Sequence, residues 1–303
     1  MRRRRLDRHE DHAQQYWPRS GVLTMSTLIT EEQRIAVCKT AISQIYTVLR
    51  STPQEWRNFL GLARTVIAHV DATSFMQELT RIGEQSWMLA ALQKLAFMDA
   101  DNGAITDIAA WCTRHWLVIH QRDSQNLAAL RGIGQAWLSR AQPALARIQR
   151  SDSGSSSGSS GSRTSAGNAG REDRGVQQAA DDFERRVGSA DYVEARGFLQ
   201  PATDYLERAV AAASAQQALS GDLIAMMSPA LSHNVSCMLT HLKTAEAYMS
   251  LGNVSSPRSN EDQFRRALQL LRAASMIPGY TLSRYLRQYV KSTLWSTLQL
   301  TNV

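Results

Sequence analysis

The chain has 303 residues, 43 % of them hydrophobic and 20 % charged, with a formal net charge of +7. That apolar share excludes a wholly disordered chain, and the length suits two modest helical domains or one extended helical array. Much of the charge excess sits in one run, Arg2 to Arg5. It therefore reads as a tail effect, and no basic and aromatic cluster resembles a nucleic-acid platform.

Residues 1–29 are expected to be a disordered basic tail. The four-arginine start admits a nuclear signal, while Asp7, Glu10 and Asp11 argue against a transit peptide. Met1 to Ser20 lacks the apolar stretch of a secretory signal, and no run of about eighteen apolar residues exists to span a membrane. A cytoplasmic or nuclear location is expected.

Residues 30–150 are expected to be a helical array. Ala, Leu, Gln and Arg dominate the composition, and alternating Val/Ile/Thr runs are scarce, so the expected class is all-α. Thr30 followed by Gln33 has capping-box spacing, and Ile35, Cys38, Ile42, Ile45 and Leu49 then mark one helix face. Thr52-Pro53 repeats the start signal, with Trp56, Phe59, Leu60, Ala63 and Ile67 as the stripe. Asp71 is read as the cap of a third helix through Phe75, Met76, Leu79 and Ile82, with Gly83 as its stop or a close-packing point. A fourth helix carries Trp87, Met88, Ala91, Leu92 and Leu95. The fifth carries Ile105, Ile108, Ala109, Trp111, Cys112, Trp116 and Ile119. The short connections between them imply antiparallel hairpins.

Asn126 to Arg150 reads NLAALRGIGQAWLSRAQPALARIQR. Its Leu130, Ile133, Gly134 and Trp137, with Ala146 further on, resemble the packing positions of the tetratricopeptide repeat (TPR), a helical hairpin of about 34 residues. Arg150 stands where that repeat expects a large apolar residue. Ser151 to Gly175 then reads SDSGSSSGSSGSRTSAGNAGREDRG, a Ser/Gly-rich linker of a kind typical of eukaryotic loops, which divides the chain in two.

Residues 176–303 are expected to be a second, TPR-like array. Ala245, Tyr248, Leu251 and Gly252 resemble the end of a first repeat helix, and Phe264, Ala267, Leu271, Ala274 and Pro278 resemble a second. A loop from Asn253 to Asn260, longer than the family normally has, would separate them. A third partial unit, Tyr205 to Ala213, is again like a second helix. Ser228 to Thr244 is compositionally foreign to its flanks and is read as an atypical insertion, either native or an unspliced intervening sequence. The tail after Tyr289, VKSTLWSTLQLTNV, shares that character. The resemblance implies a right-handed α-solenoid whose concave face holds a peptide or helix of a partner protein.

Patterns that carry chemistry are scarce along the chain. Cys38, Cys112 and Cys237 are odd in number, lie far apart and have no metal-type spacing. His115 and His120 stand about 140° apart around a helix, unlike i and i+4 ligands. The pairs Asp99/Asp101 and Glu31/Glu32 sit at expected helix ends, where capping explains them. Phosphate-loop and dinucleotide motifs are absent, Gly132-Ile133-Gly134 lies within a helix, and no nucleophile elbow occurs outside low complexity. No catalytic, cofactor or metal site is expected. Trp56, Trp87, Trp111, Trp116 and Trp137 read mainly as core, with Trp116 the choice for a concave-surface residue.

The expected function is therefore a non-enzymatic protein-interaction scaffold or adaptor, with Arg265, Arg266 and Arg272 available to pair acidic groups of the partner. A nuclear transcription-regulatory protein is the alternative. An all-helical enzyme, lacking its aspartate-rich metal motif, ranks last.

Overall fold

The computed structural model describes residues 30–155, 181, 183–220, 230–277, 281–284, 286–288 and 290. These residues are all-α, with no strand among them. The basic tail, most of the Ser/Gly segment, Pro278 and residues 291–303 lie outside the described residues.

Helix α1, Glu31–Ser51, opens on the expected capping box: Thr30 accepts from the Gln33 amide at 3.2 Å, and the Gln33 side chain accepts from the Thr30 amide at 3.0 Å. Its expected stripe is the buried face. Pro53 starts a 3-10 segment, Pro53–Phe59, that runs into α2, Leu60–Asp71. Thr52 makes no side-chain cap there, so the start signal is the proline alone.

The expected third helix does not form. Asp71 ends α2, and its carboxylate accepts instead from Trp111 Nε1 at 2.8 Å. Phe75–Gln77 and Leu79–Arg81 are short 3-10 turns held by Gln85, whose amide donates to the Phe75 and Glu78 carbonyls at 2.7 and 2.6 Å. Gly83 falls in the first turn of α3, Ile82–Ala96, and stops nothing. Helix α4 is Thr106–Arg122.

Helices α5, Leu127–Ser155, and α6, Ala190–Ser220, are the longest, and they pack against each other along their lengths. Trp137 meets Phe198 at 6.1 Å between centroids, while Arg147 pairs with Asp191 at 2.7 Å. Rising numbers on one helix thus face falling numbers on the other, which makes the pair antiparallel. Ala195, Leu199, Ala202, Leu206, Ala209 and Ala213 are all buried and form a heptad-spaced seam on α6. The four alanines of this seam let the axes approach closely. The Ser/Gly segment therefore joins the ends of one helical hairpin, and the residues on its two sides share a hydrophobic cluster. Helix α5 also runs past Arg150 through Ser155, into the expected linker.

Helix α7, Ala230–Asn253, absorbs most of the segment read as an insertion. Residues 230–244 are helical and continuous with the repeat-like part, and Cys237, Thr240 and Thr244 are buried. Thr240 and Thr244 satisfy their hydroxyls on carbonyls one turn back, at 2.8 and 2.7 Å, so polar composition did not prevent burial. Helix α8, Pro257–Ser275, begins at a proline after Ser256 as N-cap, so the long loop expected through Asn260 shrinks to residues 254–256. Phe264 lies against Gly252, where a Cβ would come within 2.9 Å of the ring.

Apart from α2 and α3, consecutive helices pack as neighbours, and side-chain contacts also link alternate helices. Lys39 of α1 reaches Glu84 of α3 at 2.6 Å, Arg64 of α2 reaches Asp107 of α4 at 2.6 Å, and Gln93 of α3 reaches the Gly132 carbonyl of α5 at 2.9 Å. Arg208 of α6 meets His120 of α4 at 3.2 Å, Arg131 of α5 meets Ser236 of α7 at 2.8 Å, and Arg266 of α8 meets Glu207 of α6 at 2.6 Å. Side-chain contacts thus run along the odd-numbered series of helices and along the even-numbered one.

Candidate functional site

The odd-numbered helices frame a groove of about 840 Å³. Helix α3 contributes Ser86, Trp87, Ala90 and Lys94, at spacings that keep them on one face. Helix α5 contributes Arg131, Gln135, Leu138 and Gln142 by the same logic. Tyr46 closes the side towards α1, and Leu239, Lys243 and Glu246 close the side towards α7. Tyr46, Trp87 and Leu239 are 41 %, 38 % and 42 % exposed, a large apolar surface left open to solvent.

A buried hydrogen-bond relay builds the floor. The Trp116 indole donates from Nε1 to Gln93 Oε1 at 2.8 Å, and Gln93 Nε2 donates to the Gly132 carbonyl at 2.9 Å. This fixes α3, α4 and α5 against one another. Gly132 is required at this contact, since a Cβ would come within 2.5 Å of the indole ring. Trp116 is only 2 % exposed. Its ring underlies the groove, and the tryptophan that faces the opening is Trp87.

The charges in the groove are unevenly met. Lys243 pairs with Glu246 at 2.7 Å, whereas Lys94 lies 5.9 Å from the centre of the Tyr46 ring. Arg131 donates to the Ser236 hydroxyl at 2.8 Å, and burial pulls its pKa below the usual arginine range. Neither Lys94 nor Arg131 has an ion-pair partner among the described residues. Away from the groove, Arg265 bonds Glu261 and Asp262, each at 2.7 Å, and Arg266 bonds both oxygens of Glu207. Those two arginines are engaged within the molecule and do not serve as the free partner contacts expected of them.

Most residues read as repeat packing are at least partly buried. Leu130, Ile133, Ala245, Ala267, Leu271 and Ala274 are buried, while Trp137, Ala146 and Tyr248 are partly buried. Gly134 faces α6, where a Cβ would come within 2.6 Å of Leu206. None of these residues lines the groove; they hold the helices that frame it. Of the tryptophans read as core, Trp56, Trp111 and Trp116 are buried.

His115 lies against Trp111, with ring centroids 4.3 Å apart, and burial lowers its pKa. His120 Nε2 accepts from Arg208, so its proton sits on Nδ1, which has no partner among the described residues. Burial raises the pKa of Cys38, Cys112 and Cys237, which disfavours the thiolate at each. Among the described residues, no group of three or more His, Cys, Asp or Glu side chains is arranged to hold a metal ion. No helix of the described residues is long and apolar enough to cross a membrane.

No family model matches the chain, and no curated protein or solved structure matches it. A functional reading therefore rests on the geometry and chemistry of the groove.

Proposed function

We propose that the protein is a non-enzymatic interaction scaffold or adaptor, acting in the cytoplasm or nucleus. In this reading the helices form a TPR-like solenoid whose odd-numbered members present the groove to a peptide or helix of another protein. The observation that supports it most is the open surface of Tyr46, Trp87 and Leu239 on three separate odd-numbered helices. The repeat-like spacing at Ala245 to Ala274 and the contacts between alternate helices support the solenoid. Binding would come from burial of the partner's apolar side chains, worth about 25 cal/mol per Å² before ordering costs are subtracted. The Gln93 relay supplies a pre-formed floor, so little is lost in arranging the site.

Affinity purification of the tagged full chain from its native cells tests this reading when done with variants. A stoichiometric protein partner should be lost with Trp87→Glu and Leu239→Glu, and kept with Val37→Glu, which alters an exposed residue outside the groove. A partner kept by all three variants would overturn the assignment to the groove.

A further inference from the structure

We propose that the groove holds an acidic segment of its partner, with carboxylates on Lys94 and Arg131 and an apolar side chain against Trp87. This rests on the reading of the groove as a protein-binding surface and adds the chemistry of what it binds. Three cations, Lys94, Arg131 and Lys243, line the groove with one carboxylate, Glu246, and Lys243 already holds that carboxylate at 2.7 Å. The remaining charge is positive and lies beside aromatic surface.

Elsewhere in the molecule, Arg57, Arg64, Arg81, Arg147 and Arg266 all meet Asp or Glu side chains. Among the described residues Arg131 meets only the neutral Ser236 hydroxyl, although it is partly buried. A guanidinium carries five N–H donors, so most of its fork is unmet by the described side chains around it. Burial already disfavours its charged form, and an arriving carboxylate would offset that cost through a charge-assisted, bidentate contact. Lys94 is exposed and has the Tyr46 ring as its neighbour, a weak partner that a carboxylate would supplement. A basic segment would meet like charge at both positions. The groove is less suited to a nucleic-acid backbone than to a protein segment, because Glu246 interrupts the run of cations that a phosphate chain would need.

Alternate helices packed about 8–10 Å apart put the four odd-numbered helices across roughly 30 Å, which about nine extended residues span and a dodecapeptide covers with residues to spare. A phage-displayed library of random dodecapeptides, selected on the full-length protein, is therefore the probe. Selected peptides should be rich in Asp and Glu around an aromatic or aliphatic residue. Their affinity, read by fluorescence anisotropy, should fall about tenfold or more with Lys94→Glu and with Arg131→Gln, and should weaken as salt is raised. Lys94→Glu alters an exposed side chain, so its effect is not confused with unfolding.

Neutral or basic peptides that lose binding with Trp87→Ala but not with Lys94→Glu would overturn the acidic partner and leave the groove reading standing. Peptides indifferent to all three substitutions would overturn both. A twelve-nucleotide poly-thymidine strand that binds more tightly than any selected peptide, and is lost with Lys94→Glu, would replace the acidic protein segment with nucleic acid.

Discussion

Gly132 and Gly134 stand two residues apart on α5 and face different neighbours, one the Trp116 indole and the other Leu206. An added Cβ at position 134 would also come within 3.2 Å of the Leu206 backbone nitrogen, which cannot swing away as a side-chain tip could. Alanine would gain about 0.5–1 kcal/mol of helix preference over glycine, against about 1–3 kcal/mol for overpacking. Gly134→Ala should therefore lower the urea midpoint, while Gly197→Ala, where nothing lies within 4 Å, should leave it unchanged or raise it. Tyr248 gives a pH signature at the same scale. Burial first, and then the nearby Glu207 carboxylate, push its pKa up to about 12, above the unfolded value of about 10. Its contribution to stability is complete below pH 10 and is lost as pH rises from about 10 to 12. Tyr248→Phe should flatten that alkaline limb in denaturation measured across this range. The spacing of Gly134, Ala267 and Leu271 could be read from sequence because packing positions repeat with the helix. Which face of α3 remained open could not, because periodicity puts Trp87 on a stripe without saying what covers it.

Helix ends show which local signals were decisive. The Thr30 capping box needs only its own first turn to form, and it was legible in the residues. Thr30→Ala should cost about 0.5–2 kcal/mol, with faster amide exchange confined to the start of α1. Asp71 carries an equally good capping residue, yet Trp111, 40 residues away, takes its carboxylate. A cap is a local preference that a long-range hydrogen bond can outweigh. Pro257 opens α8 by the same physical rule as Pro53 in its own segment, and that proline already implied a shorter loop than the one expected. The heptad seam from Ala195 to Ala213 was also present in the sequence. Matching only its last part to a repeat helix hid the full-length pairing of α5 with α6.

That pairing governs the whole molecule. Leu138, Ala141, Ala144 and Ile148 of α5 are buried in a cluster completed by α6 and α7, so a fragment ending in the Ser/Gly segment would expose them. Residues 1–165 and 166–303, each expressed alone, should be insoluble or poorly folded, and co-expression should give a complex that purifies as one species. At low pH a second loss of stability is expected. Hydrogen bonds from Lys39 and Arg81 hold the Glu84 carboxyl below its ordinary pKa, and Arg64 does the same for Asp107. Because these folded pKa values lie below the unfolded ones, their contribution is present above about pH 4 and lost as pH falls further. Melting temperature should drop there, and less steeply in Glu84→Gln. Both pairs tie alternate helices together and are exposed enough that salt should weaken them.

The groove as a protein-binding surface is tested most directly by site-specific photocrosslinking in the native cells. A photoreactive amino acid is placed at Trp87 or Leu239 in the groove, and at Val37 or Val193 outside it, all of them exposed positions. A discrete protein adduct formed from positions 87 and 239 and absent from 37 and 193 is the predicted result. Adducts formed only from positions 37 and 193 would contradict it and move the binding surface away from the groove.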